Sequence, residues 1–133
     1  MMDASARQVP VQGFAEGSQR VLLVFEPDGL LRWSLTSFFM GDYQVAPTGS
    51  PETVEAMLGA RCFDAAILAD EAVDGPADGW ENRIRGSSPH ARIVRTSTRA
   101  DRGRTFHPLT TMLEKPFELR RLADWLVRRE TMG

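Results

Sequence analysis

The chain has 133 residues, 42% hydrophobic and 26% charged, enough for one domain around one core and too few for two. Its 16 basic and 18 acidic residues leave a formal net charge of −2, which makes no electrostatic case for nucleic acid as the main partner. No apolar run approaches the roughly 20 residues that cross a bilayer, and the first residues lack the order of a signal peptide, so a cytoplasmic protein without membrane contact is expected.

Residues 1–19 mix Gln, Gly, Ser, Ala and Pro without a sustained period and read as a loose tail. Arg20 to Phe25 is an apolar run closed by Glu26-Pro27-Asp28-Gly29, a buried strand followed by a turn. From Leu30 to Met40 the residues Leu31, Leu35, Phe38 and Phe39 mark the inner face of an amphipathic helix. Leu30, Trp33, Ser37 and Met40 form a second stripe on that helix, off the core face. Tyr43 to Ala46 is a short strand. Ser50-Pro51-Glu52 opens the next helix with a capping hydroxyl, a proline in the first turn and an acid near the positive dipole end; Val54, Met57 and Leu58 face inward. The lone cysteine, Cys62, excludes an internal disulfide, suits a reducing compartment and is expected in the core.

Phe63 to Asp70 is a run of small and branched apolar residues framed by Asp64 and Asp70, as in a strand covered on both faces in the middle of a parallel sheet. Ligands of open α/β sheets bind beyond the carboxyl ends of such strands, which draws attention to Asp70. An acidic loop over 71–78 leads to at most two helical turns over 79–85. Ala91 to Thr96 is a fourth strand, less apolar than its neighbours. Residues 97–110, with Arg99, Arg102, Gly103, Arg104 and Pro108, suit a loop or a weak, broken helix. Thr111 to Glu114 is the fifth strand, and Leu119, Leu122, Ala123, Leu126 and Val127 line a last helix from Glu118 to about Arg129. Alternating strands and helices imply a parallel sheet with right-handed crossovers in a three-layer αβα sandwich.

Three stretches of this pattern carry a resemblance: Val21 through Asp28, Phe63 through Asp70, and Thr111 through Phe117 with its Lys115-Pro116-Phe117 sequence. On them, residues 20–130 resemble the receiver domain of two-component response regulators. The resemblance implies a flavodoxin-like α/β fold with five parallel strands in the order 2-1-3-4-5. It also implies a phosphoacceptor aspartate after strand three, an acidic pair holding a divalent cation, a switch hydroxyl after strand four and a phosphate-pairing lysine. Carried over, the hydroxyl falls on Thr96, with Ser97 as neighbour, and the lysine on Lys115, with the Lys115-Pro116 peptide cis.

The chain departs from the family at the acidic pocket. The acidic pair falls on Phe25 and Glu26, with Asp28 as a shifted substitute. The acceptor position, five residues after Asp64, falls on Ala69. Asp70 is one residue further on, and a one-residue slip turns a side chain to the other face of the sheet. Otherwise Asp70 reads as a solvated loop acid. The leading reading is therefore a divergent receiver, not an enzyme, that acts in signalling by protein contact and without phosphorylation. Its partner would be a histidine kinase, a downstream signalling protein or a second copy. The proposed contact surface comprises Trp33, Met40, Trp125 and Arg121. The alternative is an active receiver phosphorylated on Asp70, with Glu26 and Asp28 holding Mg2+; only then is a cofactor expected. A flavodoxin-type cofactor protein is a third reading, weakened because no Gly- or Ser-rich phosphate cradle follows strand one. His90 and His107 lack ligand spacing for a transition metal.

Overall fold

A computed structural model describes residues 20–72, 78–99 and 107–132. The expected tail, most of the loop after the central strand, and the segment carrying Arg102 and Arg104, where a weak helix was expected, lie outside the described residues. In chain order the elements are β1 (Arg20–Phe25), α1 (Gly29–Phe39), β2 (Tyr43–Thr48), α2 (Pro51–Ala60), β3 (Ala65–Ala69), a 3-10 turn (Asp70–Ala72), α3 (Asp78–Ser87), β4 (Arg92–Ser97), β5 (Thr110–Glu114) and α4 (Leu119–Met132). The five strands form one parallel sheet in the order β2-β1-β3-β4-β5. Pro47 sits in β2, an edge strand, where a missing N–H is tolerated.

β3 is buried at all five positions, as its unbroken apolar run requires of a central strand. Alternation of side chains divides the core into two halves. Leu22, Val24, Ala65, Ile67 and Val94 pack with Leu35 and Phe39 of α1 and Leu122 and Leu126 of α4. Leu23, Phe25, Ala66, Leu68 and Ile93 pack on the other face with Val54 of α2 and Ile84 of α3. Odd and even residues of β3 thus point to opposite layers, which decides the fate of the two residues at its end.

The helix ends follow their local chemistry. Asp28 Oδ1 accepts from the N–H groups of Leu30 and Leu31 at the start of α1, and Ser50 Oγ accepts from Thr53 N–H at the start of α2. Arg32 folds back to donate to Glu26 O at 2.8 Å, and Gly49 leaves room for it: a Cβ there would stand 2.6 Å from Arg32 Nη1.

Three expectations need correcting. Cys62 is exposed and its thiol donates to Ser87 O, because β3 begins only at Ala65 and leaves Cys62 in the connection. Phe38 is 42% exposed, lying at the rim of the apolar stripe with its ring edge-on to Phe39. α3 runs ten residues, beyond the two turns expected. β4 is less apolar than its neighbours, as expected, and is nevertheless buried at every position, its two arginines included. Arg92 is accommodated by stacking 4.0 Å over the Trp125 ring, and Arg95 by buried carboxylates.

Candidate functional site

The carboxyl ends of the parallel strands meet at one rim, where backbone bonds fix the residues that follow β1 and β5. Glu26 N–H donates to Thr48 O at 2.9 Å and Lys115 N–H to Ser97 O at 2.7 Å. Glu26 is 1% exposed; its Oε2 accepts from Asp28 N–H at 3.0 Å and its Oε1 lies 3.0 Å from Lys115 Nζ. Lys115 Nζ also lies 3.1 Å from Glu71 Oε1, and Glu71 Oε2 accepts from Thr98 N–H at 2.8 Å. One ammonium therefore joins two carboxylates, and Glu71 ties the turn after β3 to the ends of β4 and β5.

The electrostatics agree with that geometry. Burial pushes the Glu71 carboxyl up, but the Thr98 N–H and the Lys115 ammonium outweigh it and hold the group below its ordinary 4.5. Burial pulls the Lys115 ammonium down, and the hydrogen bonds and charges of Glu26 and Glu71 outweigh that, raising it above 10.5. Both groups are charged at neutral pH.

Ala69 is fully buried and stands in register with Thr96. It shares the parity of Ala65 and Ile67, so the methyl lies in the α1/α4 layer. Asp70 is drawn the other way. Its Oδ1 accepts from Arg95 Nε at 3.1 Å and is 3.1 Å from Arg95 Nη2. Arg95 also meets Glu81 Oε1 of α3 at 3.2 Å, Glu81 Oε2 accepts from Thr110 Oγ1 at 2.7 Å, and Arg85 donates to the same hydroxyl at 2.7 Å. Asp70 is thus a partner in a buried charge cluster and not the solvated loop acid that is its simplest reading in the sequence.

The remaining candidates have local roles. Asp28 is committed to capping α1. Thr96 Oγ1 is buried without a hydrogen-bond partner among the described residues, whereas Ser97 Oγ accepts from Arg99 N–H at 3.0 Å. The Lys115-Pro116 peptide is cis. Lys115 and Pro116 line a pocket of about 340 Å³ with Leu31, Thr98 and Phe117. On the outer surface Trp33 and Met40 stand exposed on α1. Trp125 is half-buried under Arg92, and with Arg121, Asp124 and Met112 it borders a separate cleft of about 350 Å³. Among the described residues, no three His, Cys, Asp or Glu side chains gather to hold a metal ion, and no helix is long and apolar enough to cross a membrane.

Sequence reasoning missed Glu71, Arg95 and Glu81. The signal available for the last two was Arg95 itself: an arginine inside a strand covered on both faces demands a buried anion. Glu71, two residues past Ala69, gave no comparable sign.

No protein-family model and no curated protein matches the sequence. Solved structures do match. A response regulator receiver protein from Sinorhizobium medicae superposes with a TM-score of 0.70 at 17% identity, over 84% of this chain and 94% of that one. The receiver domain of a sensor histidine kinase from Pseudomonas aeruginosa, solved with a magnesium ion in its active-site cleft, gives 0.68 at 15% identity, over 84% and 97%. A response regulator from Burkholderia pseudomallei with a phosphorylated aspartic acid and a calcium ion gives 0.68 at 13% identity, over 86% and 71%. With five parallel strands in the order 2-1-3-4-5 and helices on both faces, the chain has the flavodoxin-like, CheY-like fold of response regulator receiver domains.

Proposed function

We propose that this chain is a signalling module that acts by protein contact and takes no phosphoryl group at the end of its central strand. The observation that carries this reading is the exchange of roles at the rim. A buried methyl, Ala69, stands where a carboxylate would have to accept, and the Glu71 carboxylate already occupies the Lys115 ammonium and the Thr98 N–H. The neighbouring carboxylate, Asp70, is held in the opposite layer by Arg95.

The donor set does not fit magnesium. A compact dication takes oxygen ligands in near-octahedral geometry, commonly from one or two carboxylates and several waters. Here Lys115 supplies the counter-charge to both nearby carboxylates, Asp28 is spent on the helix cap, and Phe25 turns its ring to Trp80 in the other layer. A dication would have to displace the ammonium from Glu26 and Glu71. The surfaces left for a partner are the exposed Trp33–Met40 face of α1 and the cleft beside Arg121 and Trp125. A histidine kinase, a downstream signalling protein and a second copy are the candidates.

Incubation with magnesium and acetyl phosphate, read by intact mass, should leave the protein unmodified, and magnesium with beryllofluoride should leave its tryptophan fluorescence unchanged. A mass gain abolished by Asp70→Ala would overturn the reading and make the chain an active receiver.

A further inference from the structure

Among the residues lining the pocket beside α1, Lys115 and Thr98 are the two that hold the Glu71 carboxylate. The ammonium donates to Oε1 at 3.1 Å and the Thr98 N–H to Oε2 at 2.8 Å, so each oxygen of one carboxylate has its own donor. These donors do not depend on Glu71 for their positions. Lys115 N–H bonds to Ser97 O at 2.7 Å, which fixes the backbone spacing of positions 98 and 115 through the sheet. The buried Glu26 carboxylate holds Nζ at 3.0 Å. Glu71, by contrast, comes from the 3-10 turn after β3, and its side chain is 35% exposed. A carboxylate seat built by the sheet is thus filled by a side chain from a loop.

The rest of the pocket has the other half of a ligand's chemistry. Leu31, Pro116 and Phe117 are apolar, and the volume of about 340 Å³ is that of a small-molecule site. Glu26 already brings one negative charge to Lys115, so the seat suits one further charge, that of a carboxylate and not of a dianion. We propose that this pocket binds a monocarboxylate bearing an apolar group, and that Glu71 is the internal occupant it displaces. The ligand's carboxylate takes the Lys115 ammonium and the Thr98 N–H, and its apolar part covers Leu31, Pro116 and Phe117. Glu71 competes at the high effective concentration of a tethered group, so a carboxylate without an apolar part is shut out. The contact is autoinhibitory, and its exchange makes and breaks no covalent bond.

The test follows the Thr98 amide by 1H–15N correlation in the full chain at pH 7, titrated with acetate and with phenylacetate, circular dichroism confirming the fold of each variant. In the wild type phenylacetate should move the Thr98 signal saturably and acetate should not. Glu71→Ala should bind phenylacetate at least about tenfold more tightly, the competitor being gone. Adding Phe117→Ala to that variant should bring phenylacetate down toward the affinity of acetate, since the ring loses its apolar contact. Glu71→Gln, which keeps the side-chain length and drops the charge, makes the same comparison should the alanine variant not fold. Three outcomes overturn the proposal: a wild-type Thr98 amide that ignores phenylacetate, a Glu71 variant that binds no more tightly than wild type, or binding indifferent to Phe117. The phosphoryl-donor experiment decides the phosphorylation-independent reading separately, so a protein that ignores phenylacetate and stays unmodified loses this site and keeps that reading.

Discussion

Glu71 is the residue on which the rim turns, because its carboxylate spans Lys115 Nζ and Thr98 N–H and so joins three strand ends. Its pKa lies below the ordinary 4.5, so its contribution to stability is fully present above 4.5 and is lost as pH falls through the lower, folded value. Lys115 lies above 10.5, so its contribution is fully present below 10.5 and is lost as pH rises through the higher, folded value. Glu71→Gln should therefore cost about 1 kcal/mol at neutral pH, the scale of a partly exposed ion pair. The gap between wild type and variant should close below pH 4.5. Urea denaturation across that range measures it, and a gap that persists at low pH would show that the carboxylate charge plays no part. Glu71 itself could not be read from the sequence: an acid at the start of a loop has many possible partners, and only the fold brings a lysine 44 positions away within reach.

At the level of elements, the cap of α1 separates two roles for Asp28. The sequence admits this side chain as a cation ligand, and the folded chain uses it as the N-cap whose Oδ1 receives two backbone N–H groups. Asp28→Ala should cost about 1 kcal/mol and Asp28→Asn only a few tenths, because asparagine caps nearly as well. Thermal unfolding of the two variants distinguishes the roles; an asparagine variant as damaged as the alanine one would mean that the negative charge is needed. Elements with a clear local signature, such as the Ser50-Pro51-Glu52 helix start and the apolar β3 run, were legible in the sequence. α3 was underestimated because its composition is polar, with Ile84 as its fully buried apolar residue. What anchors it includes the Glu81 pairing to Arg95, which has no local trace.

For the molecule as a whole, the Arg95 cluster links the turn after β3 to β4, β5 and α3 within a buried layer. Removing one member of a buried pair strands the other without a counter-charge, which is far costlier than losing a surface ion pair. Arg95→Met should destabilise the domain by about 3 kcal/mol, since the buried Glu81 is left with only the longer, 4.0 Å ion pair to Arg85. Asp70→Asn should cost less, because Asp70 is 25% exposed and Arg95 keeps Glu81. Chemical denaturation ranks the two, and an Asp70→Asn variant that is the worse of the pair would place the centre of the cluster at the rim and not in the α3 layer.

The succession of strands and helices along the chain, and the alternation that sends odd and even residues of β3 to opposite layers, were determined by the sequence itself, because hydrophobic period and side-chain alternation are local properties of a chain. That Glu71 joins Glu26 at Lys115, what neutralises Arg95 and whether Cys62 is covered were decided only by the tertiary structure. Those contacts join residues 14 to 89 positions apart. Their partners are chosen by where strands begin and loops return, and no local pattern records that.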